Sequence, residues 1–253
     1  MHDHALVQSA AAILAQRQRQ QAAGPRLPES CRPADIDTAL AIQERTTEAL
    51  GARIGGWKCG TPGAGKLVVA PIHADRIRHS SPCPAPARAT MVRIEPELAF
   101  ILARDLPART APYAPAEIDE AVGAVHLALE LIGSRYEKPE EVPFAEHLAD
   151  RLLNDGLYIG PRIDAGAARE AASMPIAVSA AGSEQRFDAA HPDGNPLLPL
   201  YWLANFLREC GRGLRAGEAV ITGSYVPSFE VPAEQDVSVS FGSLGVLNVR
   251  FGG

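Results

Sequence analysis

The chain has 253 residues, 46% of them hydrophobic and 21% charged, and a formal net charge of −6 at pH 7. Such a length can bury one large core, and such a composition is that of an ordinary globular protein. The negative charge argues against a nucleic-acid backbone or an anionic membrane as the main partner. Cys31, Cys59, Cys83 and Cys210 are scattered without a C-x-x-C pair, so neither a zinc site nor a redox motif is indicated, and a reducing cytoplasm is the expected compartment. No window approaches the roughly 18 apolar residues of a membrane span. The opening Met1-His2-Asp3-His4 lacks the basic start of a signal peptide, and its two histidines read as part of a mobile terminus rather than as a metal site.

Residues 5–20 carry Leu6, Ala10, Ile13 and Leu14 at amphipathic helical spacing, and Gly24, Pro25 and Pro28 end the pattern. Ala34 to Leu50 predicts a second helix, with Asp35 and Asp37 at its N-terminal end and Gly51 at its stop. Gly60 to Lys66 then satisfies the G-x-x-x-x-G-K of a phosphate-binding loop. The context fails, because Leu67 replaces the Ser or Thr that would hold Mg²⁺ and LVVAP reads as a strand stopping at Pro71. Lys58, between Trp57 and Cys59, is read in two ways. Burial would depress its pKa and suit it to acid, base or anchor work; the alternative is a surface lysine with a buried stem.

The segment VRIEPELAFILARD, 92–105, is a short apolar strand that carries two carboxylates. Period-two alternation puts Glu95, Glu97 and Ala99 on one face and Ile94, Leu98, Phe100 and Leu102 on the other. After a Pro- and Ser-rich loop before this strand, another after it and a helix starting near Pro115, AVHLALELIGSR places Glu130 alone in a second apolar run. An unpaired buried carboxylate there would cost several kcal/mol. Two readings stand: a solvated strand face, or three oxygen donors cradling a hard divalent cation such as Mg²⁺ or Mn²⁺.

The charged stretch 134–150 reads as an irregular connection of the kind that forms lids or binding loops. PIAVSAAGSEQRF predicts a hairpin around Gly182. HPDGNP is a loop, Pro199 to Cys210 a helix stopped by Gly211, and AVITGS a short strand ending in a Thr222-Gly223-Ser224 turn able to meet an anion. DVSVSFGSLGVLNVRF alternates as a closing hairpin. Helices first and then mostly strands give an α+β class.

The ordered motifs WKCG, IEPELAFILARDLP, ALELIGSR, GNPL-x₃-YWLANFL and ITGS resemble the 2-keto-4-pentenoate hydratase and 4-oxalocrotonate decarboxylase branch of the fumarylacetoacetate hydrolase superfamily. The resemblance implies a mixed β-roll, with a helical N-terminal region over residues 1–55 and a catalytic domain over 56–253. It places Mg²⁺ or Mn²⁺ on Glu95, Glu97 and Glu130, a catalytic lysine at Lys58, a weaker catalytic candidate at Asp75, and the substrate beside Thr222 and Gly223. One stretch departs from the pattern: relatives have Asp-Asn followed by small residues where this chain has Asp150-Arg151-Leu152-Leu153-Asn154-Asp155, so bulky Leu152 and Leu153 would change any pocket wall they form.

The implied activity is hydration of 2-hydroxypenta-2,4-dienoate to 4-hydroxy-2-oxopentanoate in the catabolism of aromatic compounds. A 4-oxalocrotonate decarboxylase, an acylpyruvate C–C hydrolase and a non-catalytic partner subunit are the alternatives. The implied partners are a small 2-oxo or 2-hydroxydienoic acid, further copies of the chain, and a related decarboxylase or aldolase, with no nucleic acid and no membrane.

Overall fold

A computed structural model describes residues 4–63, 65–85 and 90–252; His2 and part of the 80–90 loop lie outside the described residues. Two helices open the chain, α1 (His4–Gln20) and α2 (Ile36–Leu50). The Asp35 side chain accepts from the Thr38 N–H at 2.7 Å, capping α2 as the sequence predicts, and Gly51 closes it in the left-handed region. Among the described residues no helix is long and apolar enough to cross a membrane.

The strands that follow are β1 (Ile54–Cys59), β2 (Val69–His73), β3 (Ile77–Arg78), β4 (Met91–Leu102), β5 (Val122–Ile132) and β6 (Asn154–Ile163). Between them lie the short helices α3 (Pro115–Ala121) and α4 (Phe144–Ala149). After α5 (Ala165–Arg169) come β7 (Ser173–Ala180), β8 (Ser183–Ala190), α6 (Leu198–Glu209) and β9 (Ala219–Ile221), then β10 (Phe229–Pro232), β11 (Asp236–Phe241) and β12 (Val246–Arg250). No helix follows Lys66, so the phosphate-loop look-alike leads into a strand, as its context indicates. That strand, β2, runs through Pro71 to His73 instead of stopping there. It is an edge strand, paired with β1 alone, the place where a sheet tolerates proline.

One sheet has the order β2-β1-β9-β4-β5-β6-β3, with β10 also on β4; the other is antiparallel, β12-β11-β7-β8. The larger sheet curls, and Ile72, Ala99, Ala128, Leu157, Ile159, Ala219 and Ile221 from five of its strands pack inside the curl. Its outer face supplies Ile94, Leu98, Phe100 and Leu102 to the main core, together with Val237, Val239 and Phe241 of the second sheet. Each such side chain contributes about 1.5–3 kcal/mol by leaving water. The fold is therefore the mixed α/β roll that the resemblance implies, with the acidic face of β4 turned into the curl.

The helical region packs as its own cluster around Leu14, Ile42, Tyr136 and Leu148. It is tied to the roll by the buried Gln43, whose carboxamide donates to the carbonyls of Val69 (3.2 Å) and Leu148 (2.8 Å). Buried His73 adds a second tie, between Gln18 of α1 and Thr47 of α2.

Parallel pairing of β1 with β9 depends on a close approach, since a Cβ on Gly56 would stand 2.3 Å from the Ala219 carbonyl oxygen. Gly56→Ala is expected to destabilise the protein by roughly 2 kcal/mol or more, read as a lowered midpoint in thermal or urea unfolding.

Candidate metal centre

The cross-strand register of β4 and β5 sets Glu95 directly opposite Glu130, with Glu97 opposite Ala128 on the same face. One carboxylate oxygen from each of Glu95, Glu97 and Glu130 lies within 4.8 Å of the other two. This face is not solvated: Glu97 is 2% exposed and Glu130 fully buried. Like charges so placed repel, and the sheet would not tolerate them without compensation.

Lys58 on β1 provides part of it. Its Nζ lies 2.8 Å from Glu130 Oε1 and donates to the Leu152 carbonyl at 3.1 Å. Asn154 Nδ2 donates to the same Glu130 Oε1 at 2.8 Å, which satisfies both lone pairs of that oxygen. Glu130 Oε2 is buried with no hydrogen-bond partner. Glu97 Oε2 accepts the Gly223 N–H at 2.8 Å, so the anion met by the Thr222-Gly223 turn is Glu97 itself. Gly223 sits at φ +128°, and a Cβ there would stand 2.9 Å from the Pro192 ring. Only glycine fits where that turn approaches the 191–195 loop.

Charges at this site do not balance within the chain. Burial first, and then the Glu130 carboxylate, push Glu95 up to about 7 from an ordinary 4.5. Burial and its two acidic neighbours raise Glu97 well above the usual range. Burial acts to lower the Lys58 pKa, but Glu130, Glu95 and Glu97 outweigh it and the net shift is upward. A depressed lysine, expected if Lys58 were simply desolvated, is thus corrected: the three carboxylates keep it an ammonium. With all three carboxylates ionised, one ammonium would leave two negative charges, and an unsatisfied buried oxygen faces the other acids. A hard divalent cation with oxygen ligands fits that donor set.

The Lys58 contact comes from the segment that departs from the family pattern. Arg151, Leu152 and Leu153 all have positive φ (60°, 52° and 66°), one turn of left-handed backbone. Such a conformation costs about 1–2 kcal/mol per residue, and it is held by Arg135. The buried Arg135 guanidinium meets Asp150 Oδ1 at 2.6 Å and donates to the carbonyls of Asp150 (2.7 Å) and Asn154 (3.0 Å), gripping both ends of the turn. The turn aims the Leu152 carbonyl at Lys58, while the Leu152 side chain packs into the helical cluster.

No family model matches the chain. It is 28% identical to 2-keto-4-pentenoate hydratase 2 of Dechloromonas aromatica, over 86% of this chain and 87% of that one. It is 27% identical to 2-keto-4-pentenoate hydratase of Paraburkholderia phymatum, over 99% of both. Among solved structures it resembles 4-oxalocrotonate decarboxylase from Pseudomonas putida G7, complexed with calcium and acetate, with a TM-score of 0.80 and 19% identity over 99% of each chain. These likenesses support the hydratase and decarboxylase branch of the fumarylacetoacetate hydrolase superfamily as the group that the chain resembles.

Of the residues that the superfamily pattern singles out, the structure brings together Glu95, Glu97, Glu130, Lys58 and Gly223, with Thr222 adjoining. It does not bring Asp75 to them. Asp75 is exposed on a 3₁₀ turn before β3 and lines a separate cavity of about 590 Å³ with Gln18, Arg19, His73 and Arg76. Sequence reasoning missed Asn154 as a donor to Glu130, the Leu152 carbonyl, and His191, whose ring stands beside Thr222. Asn154 lies within the stretch whose departure from the pattern is visible in the sequence; a backbone carbonyl and a loop histidine leave no periodic signal.

An acid whose folded pKa exceeds its unfolded value holds extra protons when folded. The stability it contributes is present below the unfolded value and lost as pH rises through the folded one. Metal-stripped protein is therefore expected to lose stability relative to a Glu95→Gln variant as pH climbs from 4.5 past 7, by on the order of 2 kcal/mol. Differential thermal melts across that range, repeated with Mg²⁺, check it; the ion should restore the wild type most at the alkaline end.

Proposed function

We propose that this chain is a divalent-metal-dependent hydratase that adds water to 2-hydroxypenta-2,4-dienoate, yielding 4-hydroxy-2-oxopentanoate. The coarser statement, an enzyme of the hydratase and decarboxylase branch with a small-molecule substrate and a divalent metal, already follows from the relatives and the carboxylate cluster. The observation that carries the metal-dependent part of the reading is the state of Glu130: one oxygen saturated by Lys58 and Asn154, the other bare beside Glu95 and Glu97.

In this reading Glu95, Glu97 and Glu130 hold Mg²⁺ or Mn²⁺. When bound, the ion supplies Lewis-acid stabilisation for negative charge that develops on the 2-oxo oxygen during proton transfer and hydration. The rest falls to the chain. Lys58, with two of its three donor positions taken by Glu130 and Leu152, has one N–H left for the substrate carboxylate. As a retained ammonium it orients that carboxylate and can return a proton, but it does not act as a free base. Thr222 and Gly223 border the substrate, with the Gly223 N–H steadying Glu97. Asp75, exposed and outside the cluster, would reach the reaction only through intervening water, and it carries less of the reading than Lys58. Self-association, and a complex with a related decarboxylase or aldolase, belong to the same reading and are open to light-scattering measurement.

Support for hydratase over decarboxylase comes from the curated relatives, since the decarboxylase likeness concerns the fold. NMR of products formed from freshly prepared 2-hydroxypenta-2,4-dienoate tests it. The expected outcome is 4-hydroxy-2-oxopentanoate from Mg²⁺- or Mn²⁺-loaded protein and none after stripping. Glu130→Gln should lower metal-dependent turnover by at least about 10²-fold while the protein stays folded. Full activity of that variant would defeat the three-carboxylate site, and silence from folded, loaded wild type would defeat the hydratase reading.

A further inference from the structure

Arg151 opens the left-handed turn, in the stretch that departs from the family pattern. It is 3% exposed, yet among the described residues no hydrogen bond or ion pair reaches its guanidinium. None of its nitrogens is sealed from solvent as Glu130 Oε2 is, so the little surface that it keeps lies where the charge is. An arginine this deep is ordinarily paired, because an uncompensated buried charge is costly. Burial first, and then Arg135, pull its pKa down to about 9, which leaves the cation intact at pH 7.

The chain has no anion to spare for it. Asp150 and Asp155 are the carboxylates that act on Arg151, and Arg135 already holds both, at 2.6 and 3.3 Å. Arg76 brings a third guanidinium to the group. Its backbone lies against Gly156, where β3 meets β6, since a Cβ on Gly156 would stand 2.6 Å from the Arg76 carbonyl oxygen. The 151–153 turn also packs on β2, which ends in the buried His73. After burial itself, Arg151 does most to lower the pKa of that ring. His73 and Arg76 both line the cavity of about 590 Å³, whose basic lining is completed by Arg19 and Arg53. Asp75, the acid of that lining, is exposed and in no ion pair among the described residues. Three guanidiniums thus line the cavity and an unpaired fourth stands behind His73 and Arg76, in a chain whose net charge is −6.

We infer that this cavity is an anion site, separate from the carboxylate cluster, in which Arg151 and Arg76 take the oxygens of a phosphate group, free or carried by a small metabolite. A guanidinium presents paired N–H donors that match phosphate, and a tetrahedral dianion has oxygens for more than one of them. The anion supplies the missing counter-charge beside the turn whose Leu152 carbonyl holds Lys58. The site stands apart from the metal reading, and its test needs no turnover.

Inorganic phosphate is the probe, titrated calorimetrically into metal-stripped and Mg²⁺-loaded protein against chloride of equal ionic strength, with thermal melts alongside. Wild type should bind it in both states, and a hundredfold excess over the dissociation constant should raise the melting temperature by about 5 °C. Glu130→Gln should respond as wild type does. Arg151→Met, which keeps an apolar stem and removes the charge, should melt no lower than wild type without phosphate and bind phosphate at least about tenfold more weakly. Arg76→Gln should weaken binding as well. Glycerol 3-phosphate distinguishes the sources: tighter binding than phosphate supports a phosphate-bearing metabolite, and weaker binding supports the free ion. No phosphate binding by wild type, or equal affinity in Arg151→Met, overturns the inference while leaving the metal site intact. A response lost in Glu130→Gln assigns the ion to the metal site and overturns it too. If Arg151→Met fails to fold, wild-type affinity in Arg76→Gln overturns it equally. Self-association lost in Arg151→Met, with no phosphate response in wild type, places a carboxylate of a second copy on Arg151 and is the remaining result against it.

Discussion

Glu130 carries the constraint on which the site is built. A carboxylate wholly removed from water must have each oxygen satisfied or give up its charge. Its first oxygen is met by Lys58 and Asn154, drawn from different parts of the chain, and its second is bare toward two more glutamates. Every element near the site answers to that demand. β1 brings an ammonium, β6 brings a carboxamide, and the turn after β9 brings a backbone N–H to the neighbouring acid. A divalent cation would balance the ionised set, which the protein alone relieves only by keeping protons on Glu95 and Glu97.

Strain in the 151–153 turn is part of the same arrangement. Three consecutive left-handed residues persist only where the surroundings over-determine them, and here the buried Arg135 grip on Asp150 and Asn154 does so. The turn gives Lys58 a second acceptor and delivers Asn154 to Glu130. Local backbone cost is thereby exchanged for a fixed ammonium, which is what orienting a small acid substrate requires.

Much of this was legible before the structure. The alternation along 92–105 separates an acidic face from an apolar one, and the structure puts Ala99 inside the curl and Leu98 and Phe100 in the main core accordingly. The α2 cap at Asp35 and the stop at Gly51 are local chemistry and read directly. Pro71 misled, because β2 is an edge strand with a neighbour on one side only, where a proline is tolerated, and strand order is not a local property. Lys58 misled in its charge for a similar reason. Its sequence neighbours Trp57 and Cys59 suggest desolvation alone, while the glutamates that reverse the shift lie on other strands.

Residue type and spacing were enough to assign an α+β chain, an acidic strand followed by a lone buried acid, and a branch of a superfamily, because each depends on periodicity or on an ordered set of motifs. Register, tautomer and the sign of a pKa shift depend on groups that meet only through folding. Glu95 faces Glu130 because β4 and β5 pair as they do, and the proton of His191 sits on Nε2 because a backbone N–H two residues away occupies the other nitrogen. Such contacts carry no pattern along the chain; they are decided by the curl of the sheet and by the turns that close its end.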